Sequence, residues 1–115
     1  MSMQTLIKKA DEKKWAKNSS HREVYINTLL DETENKNIIV RLAKIMPGGE
    51  IMPHTHENQE TIYFLEGEGS VLADGERRRV KKGGLVNVPA GCEHGILNDT
   101  DGELLLYCVF APIRS

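Results

Sequence analysis

The chain has no surplus of charge. Its 15 Lys and Arg stand against 17 Asp and Glu, a formal net charge of −2. No broad basic field is available to hold a nucleic-acid backbone, so that class of partner is excluded. Long apolar runs are missing as well, which excludes a membrane-spanning helix. Met1 to Lys17 carries charges but no apolar stretch of the kind a secretory signal needs. Cysteine is scarce. Cys92 and Cys108 are not at the spacing of a metal knuckle, and they read as two reduced thiols of a cytoplasmic protein. Repeats, low-complexity segments and linkers are absent, and no helical periodicity of useful length follows Ser20. The 115 residues suit one domain, which buries roughly two-thirds of its unfolded surface.

What is present is a succession of short β segments. Residues 1–20 form a polar, lysine-rich arm, in which Ala10 to Lys17 is expected as a short helix anchored by Leu6, Ile7 and Trp15. Residues 21–115 form the domain proper. Val24 to Leu29 and Asn37 to Met46 read as strands, and Pro47-Gly48-Gly49 is expected to break the second. Ile51–His56, Glu60–Glu66, Ser70–Ala73, Glu76–Lys81, Leu85–Val88, His94–Leu97 and Glu103–Phe110 follow, with turn residues between them. Asp74-Gly75 has the composition of a tight hairpin turn. Many short strands at regular spacing predict an all-β sandwich or barrel.

Three of the four histidines fall in two clusters. His54 and His56 are two apart, which on a strand places both imidazoles on one face, and Glu60 opens the next strand across a short polar turn. His94 follows Pro89-Ala90-Gly91 in a distant strand. Three imidazoles and one carboxylate make a mixed nitrogen and oxygen set that suits one divalent Mn, Fe, Co, Ni, Cu or Zn ion and makes a poor cage for calcium. Four protein ligands around an ion that prefers six leave positions open, as catalysis requires.

The two clusters resemble the two signature motifs of the cupin superfamily. Gly48, His54, His56, Glu60 and Gly67 meet each position of the first. Gly83, Pro89, Gly91, His94 and Asn98 meet each position of the second. The resemblance spans about residues 37–112. It implies a cupin jelly-roll β-barrel (a double-stranded β-helix), a homodimer when one barrel is present, and His54, His56, Glu60 and His94 as metal ligands. It is poorly specific for reaction, because this fold hosts many chemistries.

Strand parity extends the ligands into a pocket. Met52 follows His54 and His56, Ile62 and Phe64 follow Glu60, and Ile96 follows His94, so the expected walls are apolar. Cys108 is in phase with the inward face of the last strand. Two placements are open to Arg41: facing solvent at a strand edge, or pointing inward, where its fork would anchor a substrate carboxylate. His21 and Cys92 read as incidental residues, and the run Arg77 to Arg79 as a solvated face.

These features predict a metalloenzyme acting on a small organic molecule, with Glu60 and Arg41 as catalytic candidates. Iron or manganese would support oxidoreductase chemistry of the dioxygenase type. The alternatives are a non-redox Lewis-acid isomerase, lyase or decarboxylase, and a non-catalytic module binding sugars or other small molecules.

Overall fold

A computed structural model of the chain describes residues 4–112. Residues 1–3 of the expected arm and 113–115 of the expected barrel lie outside the described residues. One turn of 3-10 helix, Glu12–Lys14, precedes nine strands among the described residues. These are β1 (Ala16–Lys17), β2 (Arg22–Leu30), β3 (Ile39–His54), β4 (Gln59–Glu66) and β5 (Glu68–Ala73). Then come β6 (Glu76–Lys81), β7 (Leu85–Val88), β8 (His94–Leu97) and β9 (Leu104–Ala111). The sheet runs in the order β6-β5-β8-β3-β9-β4-β7, with β2 also on β3 and β1 on β2. It curls into a nearly closed barrel of the jelly-roll type. No helix among the described residues is long and apolar enough to cross a membrane.

Pro47-Gly48-Gly49 does not end a strand, contrary to expectation. β3 runs for 16 residues straight through it. Residues 39–45 pair with β9, whereas Glu50, Ile51 and His54 pair with β8. The Pro-Gly-Gly segment is therefore the corner at which one strand changes partner. Gly48 takes φ 78° there, a conformation costly for any residue with a Cβ. Gly49 leaves no room for a side chain, since an added Cβ would sit 2.7 Å from the Arg22 carbonyl oxygen.

The expected arm helix is also corrected. Only one turn forms, started by the Asp11 carboxylate accepting from the Lys13 N–H at 2.9 Å. An isolated helix of eight residues is too short to hold itself together in water. The chain instead turns extended at Trp15 and pairs Ala16 and Lys17 with Ile26 and Tyr25. Trp15 is the arm's anchor, with the Lys44 ammonium 4.4 Å from its ring. Leu6 and Ile7 are exposed in the single chain.

The Asp74-Gly75 hairpin is as expected, with both residues in the left-handed region that the turn demands (φ 54° and 76°). The basic run is neutralised where it stands: Arg77 pairs with Glu50, Arg78 with Glu76, and Arg79 with Glu68 and Asp99.

Alternating side chains of β3, β4 and β9 fill the barrel. Ala43, Leu106 and Phe64 lie opposite one another across three strands. With Ile45, Leu104 and Val71 they form the core at one end. Asn98 is fully buried and ties the following turn to β3, donating to the Ile45 and Gly102 carbonyls at 2.9 and 2.8 Å. The other end of the barrel is hollow.

Candidate metal centre

The register rows of the sheet set the depth of each side chain. Above the Ala43–Leu106–Phe64 row lies Arg41–Cys108–Ile62, and above that Phe110 and Glu60. Side chains directly opposite on antiparallel strands share a face. The upper two rows line a chamber of about 150 Å³, into which β8 contributes His94 and Ile96. Arg41 thus takes the inward placement. Cys108, Ile62 and Ile96 line the chamber.

Two expected wall residues do not. Phe64 is one row too deep, fully buried in the core beneath the chamber. Met52 is 38% exposed on the outside. Its phase is inverted by a bulge. From Ile51 to His54 is three steps along β3, but from Ile96 to His94 is two along β8. The extra residue turns Met52 outward and Ile51 inward. Pro53 inside the strand was the available signal, since proline within sheets marks edges and bulges.

His54, His56 and His94 converge, with one ring nitrogen from each lying within 4.8 Å of the others. The backbone fixes which nitrogen is offered. His54 Nδ1 sits 2.7 Å from the Met52 carbonyl oxygen, His56 Nδ1 2.8 Å from that of Asn58, and His94 Nδ1 3.0 Å from that of Cys92. A carbonyl oxygen only accepts, so each Nδ1 carries the hydrogen and each Nε2 keeps its lone pair. Glu60 is buried, and its Oε1 lies 3.2 Å from Nε2 of His56 and 3.1 Å from Nε2 of His94. Two lone pairs therefore face one carboxylate oxygen, which requires a proton or a cation between them. Burial draws the His94 pKa down, but its bonds to Glu60 and the Cys92 carbonyl outweigh this and hold it above the ordinary value. A divalent transition ion satisfies all of these atoms together, so the donor set fits such an ion.

His21 is brought to the chamber, contrary to its reading as incidental. It stands in the turn just before β2, beside the strand that carries His54, and the two rings are 5.3 Å apart. Burial, then the neighbouring His54, lowers its pKa. Asn18, Ile51 and Phe110 are further lining residues that sequence reasoning did not name. The Cys108 thiol is pushed well above its ordinary pKa, chiefly by burial and then by Glu60, and stays protonated. Both cysteines are free, and Cys92 packs on the core.

Arg41 has a peculiar position. Its Nε is buried without a hydrogen-bond partner. Its guanidinium lies over the Phe110 ring, 5.0 Å from the centroid. Among the described residues, no carboxylate pairs with it.

The family model for the cupin domain matches residues 41–110. The dimethylsulfoniopropionate lyase DddW of Ruegeria pomeroyi is 30% identical over 90 residues, which cover 76% of this chain and 59% of that protein. The chain thus spans about three-fifths of the length of that relative. An uncharacterised protein of Methanocaldococcus jannaschii is 34% identical over 90 residues, covering 76% of this chain and 72% of its own. Among solved structures, a predicted oxalate decarboxylase of Thermotoga maritima is 27% identical with a TM-score of 0.72, over 78% of this chain and 81% of that one. The polyketide cyclase RemF of Streptomyces resistomycificus, at 20% identity, shares the fold with a TM-score of 0.79 over 92% of this chain and 80% of its own. With both signature motifs complete, the jelly-roll barrel formed and the family model covering more than half of its length, the chain belongs to the cupin family.

Proposed function

We propose that the chain is a metal-dependent enzyme acting on a small carboxylate-bearing molecule, by chemistry of the dioxygenase type. The observation that carries this reading is the convergence of three Nε2 lone pairs and one carboxylate at the wall of a chamber that also holds an arginine with no carboxylate partner among the described residues. His54, His56, His94 and Glu60 would hold the ion. When bound, it supplies Lewis acidity and, if it is iron or manganese, electron exchange with dioxygen.

The chain's own residues do the rest. Arg41 holds a substrate carboxylate through its fork and orients the molecule in the chamber. Ile62, Ile96 and Phe110 exclude water and strengthen each polar contact inside. Glu60, flanked by two imidazoles, is the one carboxylate among the chamber-lining residues and is placed to take up or return a proton. At about 150 Å³ the chamber is smaller than the roughly 300 Å³ at which drug-sized sites begin. The substrate is correspondingly small.

A second reading, a non-redox lyase or decarboxylase, is favoured by the name of the Ruegeria relative and by the arginine. Apo protein loaded in turn with Fe, Mn, Ni and Zn, and assayed for oxygen consumption and for breakdown of small keto acids, separates the two. Turnover with iron or manganese alone supports the first. Equal turnover with zinc discards the redox part. No turnover beside tight metabolite binding leaves a binding module.

We also propose that two copies pair through the outer face of the sheet. Leu42, Tyr107, Tyr63 and Leu85 stand in one row across four adjacent strands, and the last three are exposed. Light scattering should report twice the 12.9 kDa chain mass. A monomer at micromolar concentration refutes the pairing. The unpaired thiols support a cytoplasmic location.

A further inference from the structure

Of the four histidines, three present Nδ1 to a carbonyl. The fourth does the opposite. His21 Nδ1 lies 3.0 Å from the backbone N–H of Met52, which can only donate. Its lone pair is therefore occupied, and the ring hydrogen sits on Nε2. A ring fixed in this way cannot offer Nε2 to a metal without losing the Met52 bond. The backbone divides the histidines into three ligands and one N–H donor.

Two neighbours share that character. Asn18 Oδ1 accepts from the Ser20 N–H at 2.9 Å, so its amide NH2 is left to donate. Arg41 is a donor only. Both line the chamber, and both line an adjoining open vestibule of about 350 Å³ floored by residues 16–19. Asn18 and Arg41 thus stand where the two spaces share their lining, with His21 on the chamber side, and Arg41 is a full positive charge with no carboxylate partner among the described residues.

We infer that Asn18, His21 and Arg41 form a donor-only rim that takes the carboxylate of the substrate, and that His21 is a substrate-contacting residue and not a ligand. The inference deepens the proposed function and rests on that reading. It makes the substrate class specific. One end of the molecule reaches the histidine cluster, and a carboxylate at the other end sits at the rim. Neutral and cationic analogues of the same length are disfavoured, since a hydroxyl accepts more weakly than a carboxylate and neither group compensates the Arg41 charge.

The test is calorimetric binding of succinate and of butane-1,4-diol to zinc-loaded and zinc-free protein. Wild-type protein should bind succinate at least about tenfold more tightly than the diol. His21→Phe and Arg41→Met should each remove about tenfold of that preference, while His21→Gln, which keeps a donor, should retain most of it. Zinc affinity should be unchanged in His21→Phe. Circular dichroism establishes that each variant is folded. No preference for succinate in the wild type, or an unaltered preference in His21→Phe, overturns the rim. So does a fall in zinc affinity in His21→Phe as large as in His54→Ala, since His21 would then be a ligand. Failure of the wild type to bind zinc would sink the proposed function alone. The zinc-free arm still reads the rim, and equal succinate binding by wild type and variants there overturns it.

Discussion

Replacing Gly95 by alanine adds one methyl group to the strand that carries His94, and the structure says what it meets. The new Cβ would sit 2.9 Å from the Ile51 carbonyl oxygen, 3.1 Å from the Pro53 nitrogen and 3.2 Å from Pro53 Cα. All three are backbone atoms of the bulge, so no side chain can swing aside. The bulge must move, and it is what aims His54. Overpacking of this kind costs about 1–3 kcal/mol. At about 4 °C per kcal/mol for a domain near this size, the metal-free protein should melt about 4–12 °C lower. Misaiming a ligand should weaken zinc binding by about 10–100-fold. Thermal unfolding in EDTA and competition against a chromophoric chelator measure the two quantities. Gly102→Ala is the control, because its Cβ would find nothing within 4 Å. If Gly95→Ala binds zinc as tightly as Gly102→Ala does, the bulge does not position the site and the reasoning fails.

Glu60→Gln and His94→Ala should each lower zinc affinity by more than the about 10–100-fold that loss of an outer partner costs, while the metal-free variants still unfold cooperatively. A broad, non-cooperative transition would show that these side chains hold the barrel together instead. Phe64→Ala should cost about 3–5 kcal/mol in chemical denaturation and leave zinc affinity untouched. Met52→Ala should cost under about 0.5 kcal/mol, and any loss of zinc or succinate binding in it would contradict its outward placement. Asp99 accepts both of its bonds from Arg79, at 2.7 and 2.6 Å, and its pKa is held low by that partner. Its contribution is present above the ordinary aspartate value of about 3.9 and disappears as pH falls through the lower folded value. The stability gap between wild type and Asp99→Asn should therefore close between about pH 5 and pH 2, and a gap that widens on acidification would contradict the pairing.

The barrel and the histidine cluster were legible because spacing encodes them. Gly48 to Gly67 and Gly83 to Asn98 are local patterns whose meaning survives without coordinates. Strand parity carried Ile62, Ile96 and Cys108 to the right face, because no irregularity separates Ile62 from Glu60 or Ile96 from His94. It failed at Met52, where a bulge adds one residue and reverses the phase. It also placed Phe64 on the right face but at the wrong depth, since parity says nothing about how far down a barrel a residue lies. His21 and Asn18 were not legible at all. They belong to no motif, and they reach the chamber from the turn between β1 and β2, tied down by the Asn18 N–H on the Val24 carbonyl and the Met52 N–H on His21 Nδ1. Arg41 stood between two placements until its register with Cys108 decided the matter.

The corner at Pro47-Gly48-Gly49 has a bearing on specificity. Arg41 and His54 lie on the same strand, one before the corner and one after it. On the proposed reading, in which Arg41 anchors a carboxylate, the fold of that strand works as a fixed ruler between that anchor and the histidine cluster. Gly49, wedged among the carbonyls of Arg22, Met46 and Glu23, clamps the ruler at one setting. On that reading, the length of molecule that the site accepts is encoded some distance from every residue proposed to touch it. A relative with one residue more or fewer at this corner could keep every ligand and still select a longer or shorter substrate.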